Sequence, residues 1–209
     1  VWEKYGGFRF PVKDVIEEIR SDSEYLAGKT KLELPAIFFS VAGFNGNKAL
    51  QNVTNHTGLV VIDIDKKENP NTDFNKLKSD FGRDRHVYAC FRSPSGGIKV
   101  VFNTNIGEIH HHKVYFHALN KYVVDSYPDI DKIDKSGSNI NRACYMPYDS
   151  NAYFNPYAYR YCLGEQQIAE ITEEIKTKKL YHNSLKAILE VSDYSFDDHY
   201  NGILNLLLN

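Results

Sequence analysis

The sequence predicts a fold of the α/β (α+β) class, with a small N-terminal unit, a larger sheet and helices at the C-terminal end. Strand-like and helix-like segments alternate along the chain, and a hairpin pattern with the turn Ser93-Pro94-Ser95-Gly96-Gly97 lies near the middle. The composition, 42% hydrophobic and 25% charged in 209 residues, is typical of a folded chain and excludes extended disorder.

The N-terminal unit is expected to span residues 1–57. Pro11 is well tolerated in a first helical turn, and Val15, Ile16 and Ile19 follow it at helical spacing, which predicts a helix. An apolar run farther along predicts a core strand. The expected elements are an irregular strand or hairpin over residues 2–10, a helix over 12–21, a core strand over 35–41 and a polar loop over 43–57.

The central part is expected to span residues 58–163. Its first strand enters through Gly58 and is continuously apolar from Leu59 to Ile62, as in strands that are buried on both faces. The elements expected after it are a turn and cap over 69–73, a helix to about residue 81, strands over 86–91 and 98–102, a helix over 107–125, and short strands over 130–133, 140–146 and 157–163. The order strand, helix, hairpin, helix, strand predicts an RRM-like sheet.

The C-terminal part, residues 164–209, is expected to form two helical segments, with Ser192-Asp193 as the cap of the last. The chain starts at Val1 and stops in an apolar stretch, so we expect a domain of a longer protein, whose C-terminal helices lead to a further domain.

The bulk properties limit the class of protein. A net charge of −2 gives no sign of a polyanion partner, so nucleic-acid binding would need a local basic surface. Cys90, Cys144 and Cys162 are widely spaced, which argues against a disulfide framework or a zinc knuckle and predicts a cytoplasmic protein. No apolar run reaches about 18 residues, so no membrane segment is expected.

Two carboxylates follow the first central strand. Asp63 and Asp65 are two residues apart, so they lie on one face of the strand with Cα atoms about 7 Å from each other. Two acids at the end of a core strand repel each other and lose water, so a positive partner is expected, and one or two divalent metal ions are natural candidates. The alternative is a strand that ends in a solvated acidic turn.

Three further features carry possible chemistry. Glycines in the turn from Ser93 to Gly97, with Ser95 and Lys99, would suit phosphate oxygens, although an ordinary hairpin turn with an exposed lysine fits as well. Asp134 is another carboxylate at the end of a short apolar stretch. Arg142, inside an expected apolar strand, needs an anionic partner, either phosphate or a structural ion-pair carboxylate.

In order and type, these motifs resemble those of the archaeo-eukaryotic primase superfamily, in particular its primase-polymerase (PrimPol-like) and BT4734-like/VirE-N-like catalytic domains. The resemblance covers about residues 35–162. Asp63 and Asp65 match the first motif, a core strand that ends in two acids, and Asp134 matches the third, an acid on a later strand.

The second motif, a small-residue turn of the type Ser-x-x-x-His, is matched by Ser95 to Lys99, with lysine in place of histidine. Arg142 matches an arginine that is typical of the branches with a Ser-Gly-Gly-x-Lys turn. Lysine binds phosphate as a point charge but does not accept a hydrogen bond as a neutral imidazole does.

The resemblance implies a template-dependent DNA primase-polymerase that acts on NTP or dNTP with a single-stranded DNA template and primer. It implies two Mg²⁺ or Mn²⁺ ions on Asp63, Asp65 and Asp134. The residues that it places on the triphosphate are Ser95, Gly96, Gly97, Lys99 and Arg142. The residues that composition places along nucleic acid are Lys29, Lys31, Lys66, Lys67 and Arg92. Some such proteins are fused to or associated with a helicase, a helical primase C-terminal domain or CRISPR adaptation proteins.

Other functions fit the motifs less well. A haloacid-dehalogenase-type phosphatase needs Thr or Val where this chain has Lys67, and a glycosyltransferase leaves Arg142 without a role. The stronger alternative is a catalytically inactive primase-like module that binds single-stranded nucleic acid. We expect His56, His110 and His117 to be surface or packing groups, and Cys144 and Cys162 to be core thiols.

Overall fold

The computed structural model describes residues 12–21 and 34–191. The predicted hairpin over 2–10, the cap at Ser192-Asp193 and the lysines at positions 29 and 31 lie outside the described residues. The chain divides into two compact units, Val1–Gly164 and Glu165–Asn209. The further predicted boundary between residues 57 and 58 stays a prediction.

The fold is mixed α and β, as predicted. In the first unit the elements in chain order are α1 (Val12–Ser21), β1 (Ala36–Ile37), β2 (Val41–Phe44), β3 (Val53–His56), β4 (Leu59–Ile64), α2 (Phe74–Phe81), β5 (Val87–Arg92), β6 (Ile98–Asn103), α3 (His112–Ser126), β7 (Cys144–Tyr145) and β8 (Tyr153–Phe154). In the second unit the helix α4 spans Glu165–Val191. The last helical segment, which was expected to be capped at Ser192-Asp193, lies outside the described residues. None of the helices in the described residues is long and apolar enough to cross a membrane.

The main sheet has four antiparallel strands in the order β4-β6-β5-β8. The predicted succession of strand, helix, hairpin and helix from β4 to α3 is confirmed. The fourth strand is β8, on the outer side of β5, and not the predicted strand over 140–146, of which only β7 forms. That short strand pairs with β1 in a separate two-stranded sheet, with Tyr145 opposite Ala36.

Side chains of β4 are buried on both faces of the sheet. Val60 and Ile62 are fully buried, and Leu119 of α3 is fully buried as well. On the opposite face Val61 belongs to an apolar cluster that includes Cys144. Because side chains alternate along a strand, Asp63 extends from the same face as Val61. This face therefore carries the acids.

The segment over 35–57 differs from the prediction. The expected strand over 35–41 is divided into β1 and β2, and the expected loop over 43–57 contains β3, which pairs with β2 in an antiparallel hairpin. Thr54 Oγ1 donates to the carbonyl of Gly43 at 3.0 Å. The strand β3, Val-Thr-Asn-His, is mainly polar because much of it is exposed, so no apolar period marked it as a strand.

The prediction of a strand over residues 130–133 is also wrong. The buried side chain of Asn69 explains why this segment does not pair as a strand. Its Oδ1 accepts the N–H groups of Asp131 and Lys132, both at 2.9 Å, and its Nδ2 donates to the carbonyl of Lys132 at 2.8 Å. The backbone groups that a neighbouring strand would pair are satisfied by one amide. Residues 157–163 form only an isolated bridge, between Tyr161 and Thr104, and Cys162 is exposed and not the expected core thiol.

Candidate metal centre

Three carboxylates converge at the end of β4. Each of Asp63, Asp65 and Asp134 offers an oxygen, and these oxygens lie within 4.8 Å of one another. Asp134 comes from a segment about seventy residues farther along the chain, and its N–H donates to the carbonyl of Asp63 at 2.9 Å. That backbone bond fixes the later segment beside the strand and brings together the three acids that the sequence proposed separately.

Asp134 begins a 3₁₀ turn and is not on a strand as the sequence predicted. Its two oxygens accept the N–H of Ser136 at 2.8 Å and the hydroxyl of Ser136 at 2.5 Å. Nη2 of Arg142 lies 3.8 Å from Oδ2 of Asp134. Burial favours a higher pKa for Asp134, but the bonds from Ser136 and the positive charges of Arg142 and Lys99 outweigh it and hold the pKa below its usual value. The carboxylate is thus kept ionised and oriented.

Asp63 forms an ion pair with Lys99, its cross-strand partner on β6. The Asp63 side chain is only 14% exposed and the Lys99 side chain only 11%. The second carboxylate oxygen of Asp63, Oδ1, is buried and has no hydrogen-bond partner among the described residues. A buried anionic oxygen without a partner is costly, so this atom is a ready site for a cation or a donor.

The donor set fits a hard divalent cation. Three carboxylates carry three negative charges, Lys99 forms an ion pair with Asp63, and Arg142 lies beside Asp134. Mg²⁺ prefers oxygen ligands at about 2.0–2.1 Å. The oxygens of the three acids, which lie within 4.8 Å of one another, would therefore need to approach each other to share an ion.

The turn between β5 and β6 packs directly against the acidic strand. Gly96 has a φ of +85°, which favours glycine, and its N–H donates to the carbonyl of Ser93 at 3.0 Å. A Cβ on Gly97 would lie 2.5 Å from the carbonyl oxygen of Ile64 and 3.2 Å from the Cα of Asp65. Only glycine allows this close approach. Ser95 at the tip of the turn is exposed.

The turn is held in place by Arg92. Its guanidinium donates to the carbonyl of Gly96 at 2.9 Å and to Asn75 Oδ1 at 2.7 Å, and it lies over the ring of Phe74. These contacts give Arg92 a structural role, and its predicted contact with nucleic acid stays a prediction. Lys66 and Lys67, next to the acids, are exposed.

Arg142 differs from its prediction. It precedes β7 and is not inside a strand, and its side chain is 55% exposed. The burial cost that the sequence assigned to it is therefore absent, and an exposed guanidinium beside Asp134 can reach an incoming anion.

Several important residues were missed from the sequence. Ser136 orients Asp134, and Asn69 sets the path of the segment before it. Asp149 forms a buried ion pair with Lys78 and accepts the N–H of Arg92 at 2.8 Å. The signal for Ser136 was its position two residues after an acid, which is typical of a side-chain turn. The partners of Asn69 and Asp149 are far away in sequence and left no local signal.

A chain of hydrogen bonds through two histidines supports the loop that carries Asp134. The N–H of Gly58 donates to His56 Nδ1 at 2.8 Å, so the proton of this imidazole is on Nε2, which lies 3.0 Å from His112 Nδ1. His112 Nε2 in turn donates to the carbonyl of Gly137 at 3.0 Å. Each ring must be neutral for all three bonds to form. The prediction that His56 is a packing group agrees with this arrangement.

Stability is expected to fall with acid because of this pair. Burial, followed by the neighbouring His112, lowers the pKa of His56 from 6.5 to about 4, and burial also lowers the pKa of His112. The unfolded chain therefore binds protons first as the pH falls. The contribution of the pair is complete above pH 6.5 and is lost progressively from about pH 6.5 to about pH 4. Urea unfolding should show that the free energy of unfolding falls less between pH 7 and pH 5 in His56→Gln than in wild type. The expectation would be contradicted if this fall were reduced in the exposed-residue control His110→Gln but not in His56→Gln.

A comparison with known protein families identifies the family of the chain. The profile of the BT4734-like N-terminal domain family matches residues 29–154, which is more than half of the chain and includes all three acids. The chain belongs to the BT4734-like N-terminal domain family, as the sequence motifs indicated. No curated protein and no solved structure matches it.

Proposed function

We propose that the chain is the catalytic domain of a template-dependent DNA primase-polymerase, which transfers a nucleotidyl group from NTP or dNTP to a 3′-hydroxyl on a single-stranded DNA template. The observation that carries this proposal is the convergence of three acids beside a buried lysine and a glycine turn. Membership of the BT4734-like family and the resemblance of the motifs to archaeo-eukaryotic primases support it.

In this proposal Asp63, Asp65 and Asp134 hold one or two Mg²⁺ or Mn²⁺ ions, which when bound supply activation of the attacking hydroxyl and neutralise the leaving pyrophosphate. Ser136 keeps Asp134 ionised and oriented through two hydrogen bonds. The backbone hydrogen bond from the N–H of Asp134 to the carbonyl of Asp63 fixes the spacing of two proposed ligands, so little rearrangement is needed.

The groups proposed for the triphosphate surround the acids. Arg142 is exposed beside Asp134, and Ser95 is exposed at the tip of the turn. Gly96 and Gly97 have no side chains, which lets the turn lie close to the acidic strand, where Gly97 is buried and Gly96 is half-buried. Lys99 supplies a positive charge within the centre. A triphosphate carries several negative charges, and these residues provide donors for it from two sides.

Binding of nucleic acid by this chain alone is proposed to be weak and limited to a local basic surface. Lys66 and Lys67 are exposed next to the acids, but the chain has a net charge of −2. Sequence-independent binding relies on cations that neutralise phosphates, so a fused or associated protein would supply the rest. A helicase, a helical primase C-terminal domain and CRISPR adaptation proteins are the candidates that the resemblance offers.

A second candidate function is binding of single-stranded nucleic acid without catalysis. It is favoured by aromatic side chains with large exposed surfaces, at Phe154, Tyr157 and Tyr159, on which bases can stack. It is also favoured by Lys99, which already neutralises Asp63. This candidate does not account for the acids, because a pure binder gains nothing from three carboxylates close to phosphates.

The test is primer synthesis and extension on single-stranded DNA with labelled NTP or dNTP, in Mg²⁺, in Mn²⁺ and in a chelator. We expect products that need the metal. Folded protein that binds single strands but makes no product with either metal would exclude the polymerase and support the binding module. The same assay on Asp63→Ala/Asp65→Ala shows whether a contaminating enzyme makes the product.

A further inference from the structure

We propose that Lys99 is an internal competitor of the metal, which neutralises Asp63 when no metal is bound and opposes metal binding until it leaves this carboxylate. The inference rests on the proposed metal centre and adds its regulation. It starts from the ion pair between Lys99 and Asp63, which lie directly opposite each other on β6 and β4.

The ion pair between Lys99 and Asp63 is strong enough to compete with a metal ion. Both side chains are largely buried, so water screens their attraction only weakly. Arg142, a cation that contacts Asp134 of this centre, is mostly exposed, and its Nη2 lies 3.8 Å from Asp134 Oδ2. Its attraction is screened by water and salt. Lys99 therefore affects the charge of the centre more than Arg142 does.

Two cations on one carboxylate oppose each other. Lys99 contacts Oδ2 of Asp63, and Oδ1 of Asp63 is buried without a hydrogen-bond partner among the described residues. An ammonium group on one oxygen and a divalent ion on the other would repel each other strongly in this buried place. A metal on Asp63 is therefore disfavoured as long as Lys99 stays on this carboxylate.

Lys99 can move without a change in the sheet. Its side chain has a flexible four-carbon stem, so the ammonium can turn from Asp63 while the backbone pairing of β4 and β6 stays intact. Its burial makes an unpaired charge costly, so it needs a new anion. A bound triphosphate supplies that anion. Metal and nucleotide should then increase each other's affinity, because each removes an obstacle to the other.

The test is a titration of the folded protein with Mn²⁺, followed by electron paramagnetic resonance of the free ion, with and without a non-hydrolysable dNTP. We compare wild type with Lys99→Met, which keeps the length and removes the charge, and with Lys99→Gln, a second variant in case methionine impairs folding. Lys135→Met is the matched control, because this exposed lysine directly follows Asp134 and has no proposed role in the site. Circular dichroism shows that each variant is folded.

Without nucleotide, the Lys99 variants should bind Mn²⁺ at least about tenfold more tightly than wild type, whereas the Mn²⁺ affinity of Lys135→Met should change by less than about threefold. The increase in Mn²⁺ affinity caused by the nucleotide should be smaller in the Lys99 variants than in wild type. Equal or weaker Mn²⁺ binding in both Lys99 variants, with wild-type binding that Asp63→Ala/Asp65→Ala abolishes, overturns the competition and leaves the metal centre intact. Binding that the acid variant does not abolish, or no binding by any protein, overturns the metal centre itself.

Discussion

Asp134→Asn is expected to reduce metal-dependent nucleotide incorporation by about 10³-fold, the order of loss found when one electrostatic group is removed from a preorganised site. Asparagine has nearly the same shape, and its amide can still exchange hydrogen bonds with the N–H and hydroxyl of Ser136. The loss would therefore come from the missing charge and not from a displaced loop. Single-turnover incorporation into a primed template measures it, and Mn²⁺ titration shows whether metal binding falls in parallel.

Asp125→Asn is the matched control for this change. Asp125 is an exposed acid of α3 that pairs with Lys121 within the same helix, so its replacement should leave incorporation unchanged within about twofold. Asp134 was the acid that the motifs specified least, because only a short apolar stretch preceded it. Full activity in Asp134→Asn would remove it from the centre and leave Asp63 and Asp65 to be completed by another group.

The parts of the fold that the sequence predicted well have local causes. The helix Phe74–Phe81 is capped by Asp73, whose carboxylate accepts the N–H groups of Asn75 and Lys76, and a cap of this kind is visible in the sequence. The strand β4 and the hairpin of β5 and β6 were found because apolar runs and a glycine turn mark them directly.

The parts that the sequence did not predict depend on distant partners. The segment before Asp134 looked like a strand, but the amide of Asn69, more than sixty residues earlier, satisfies its backbone. The β2–β3 hairpin is polar and exposed, so its pairing left no apolar period. Residue types could indicate three acids and a lysine near phosphates, but they could not show that Lys99 would contact Asp63 itself.

Asp149→Ala is expected to lower the free energy of unfolding by about 3–5 kcal/mol, the cost of removing one partner of a buried ion pair. The Asp149 side chain is 8% exposed, and its partner Lys78 is 14% exposed. Asp149 also accepts the N–H of Arg92 at 2.8 Å. Alanine would leave a buried ammonium and a backbone donor without an acceptor, at the base of the turn between β5 and β6.

Asp129→Ala provides the comparison that separates burial from pairing alone. Asp129 also pairs with a lysine, Lys76, but both side chains are about 60% exposed, so we expect a cost below about 1 kcal/mol. Urea unfolding at pH 7 measures both variants.

Burial favours a higher pKa for Asp149, but its bonds to Lys78 and to backbone N–H groups lower the pKa below the usual value. Its contribution is therefore complete above the ordinary carboxyl pKa and is lost as the pH falls through the lowered one. The difference between wild type and Asp149→Ala should shrink in acid, and equal costs for the two variants at pH 7 would show that burial adds nothing to this pair.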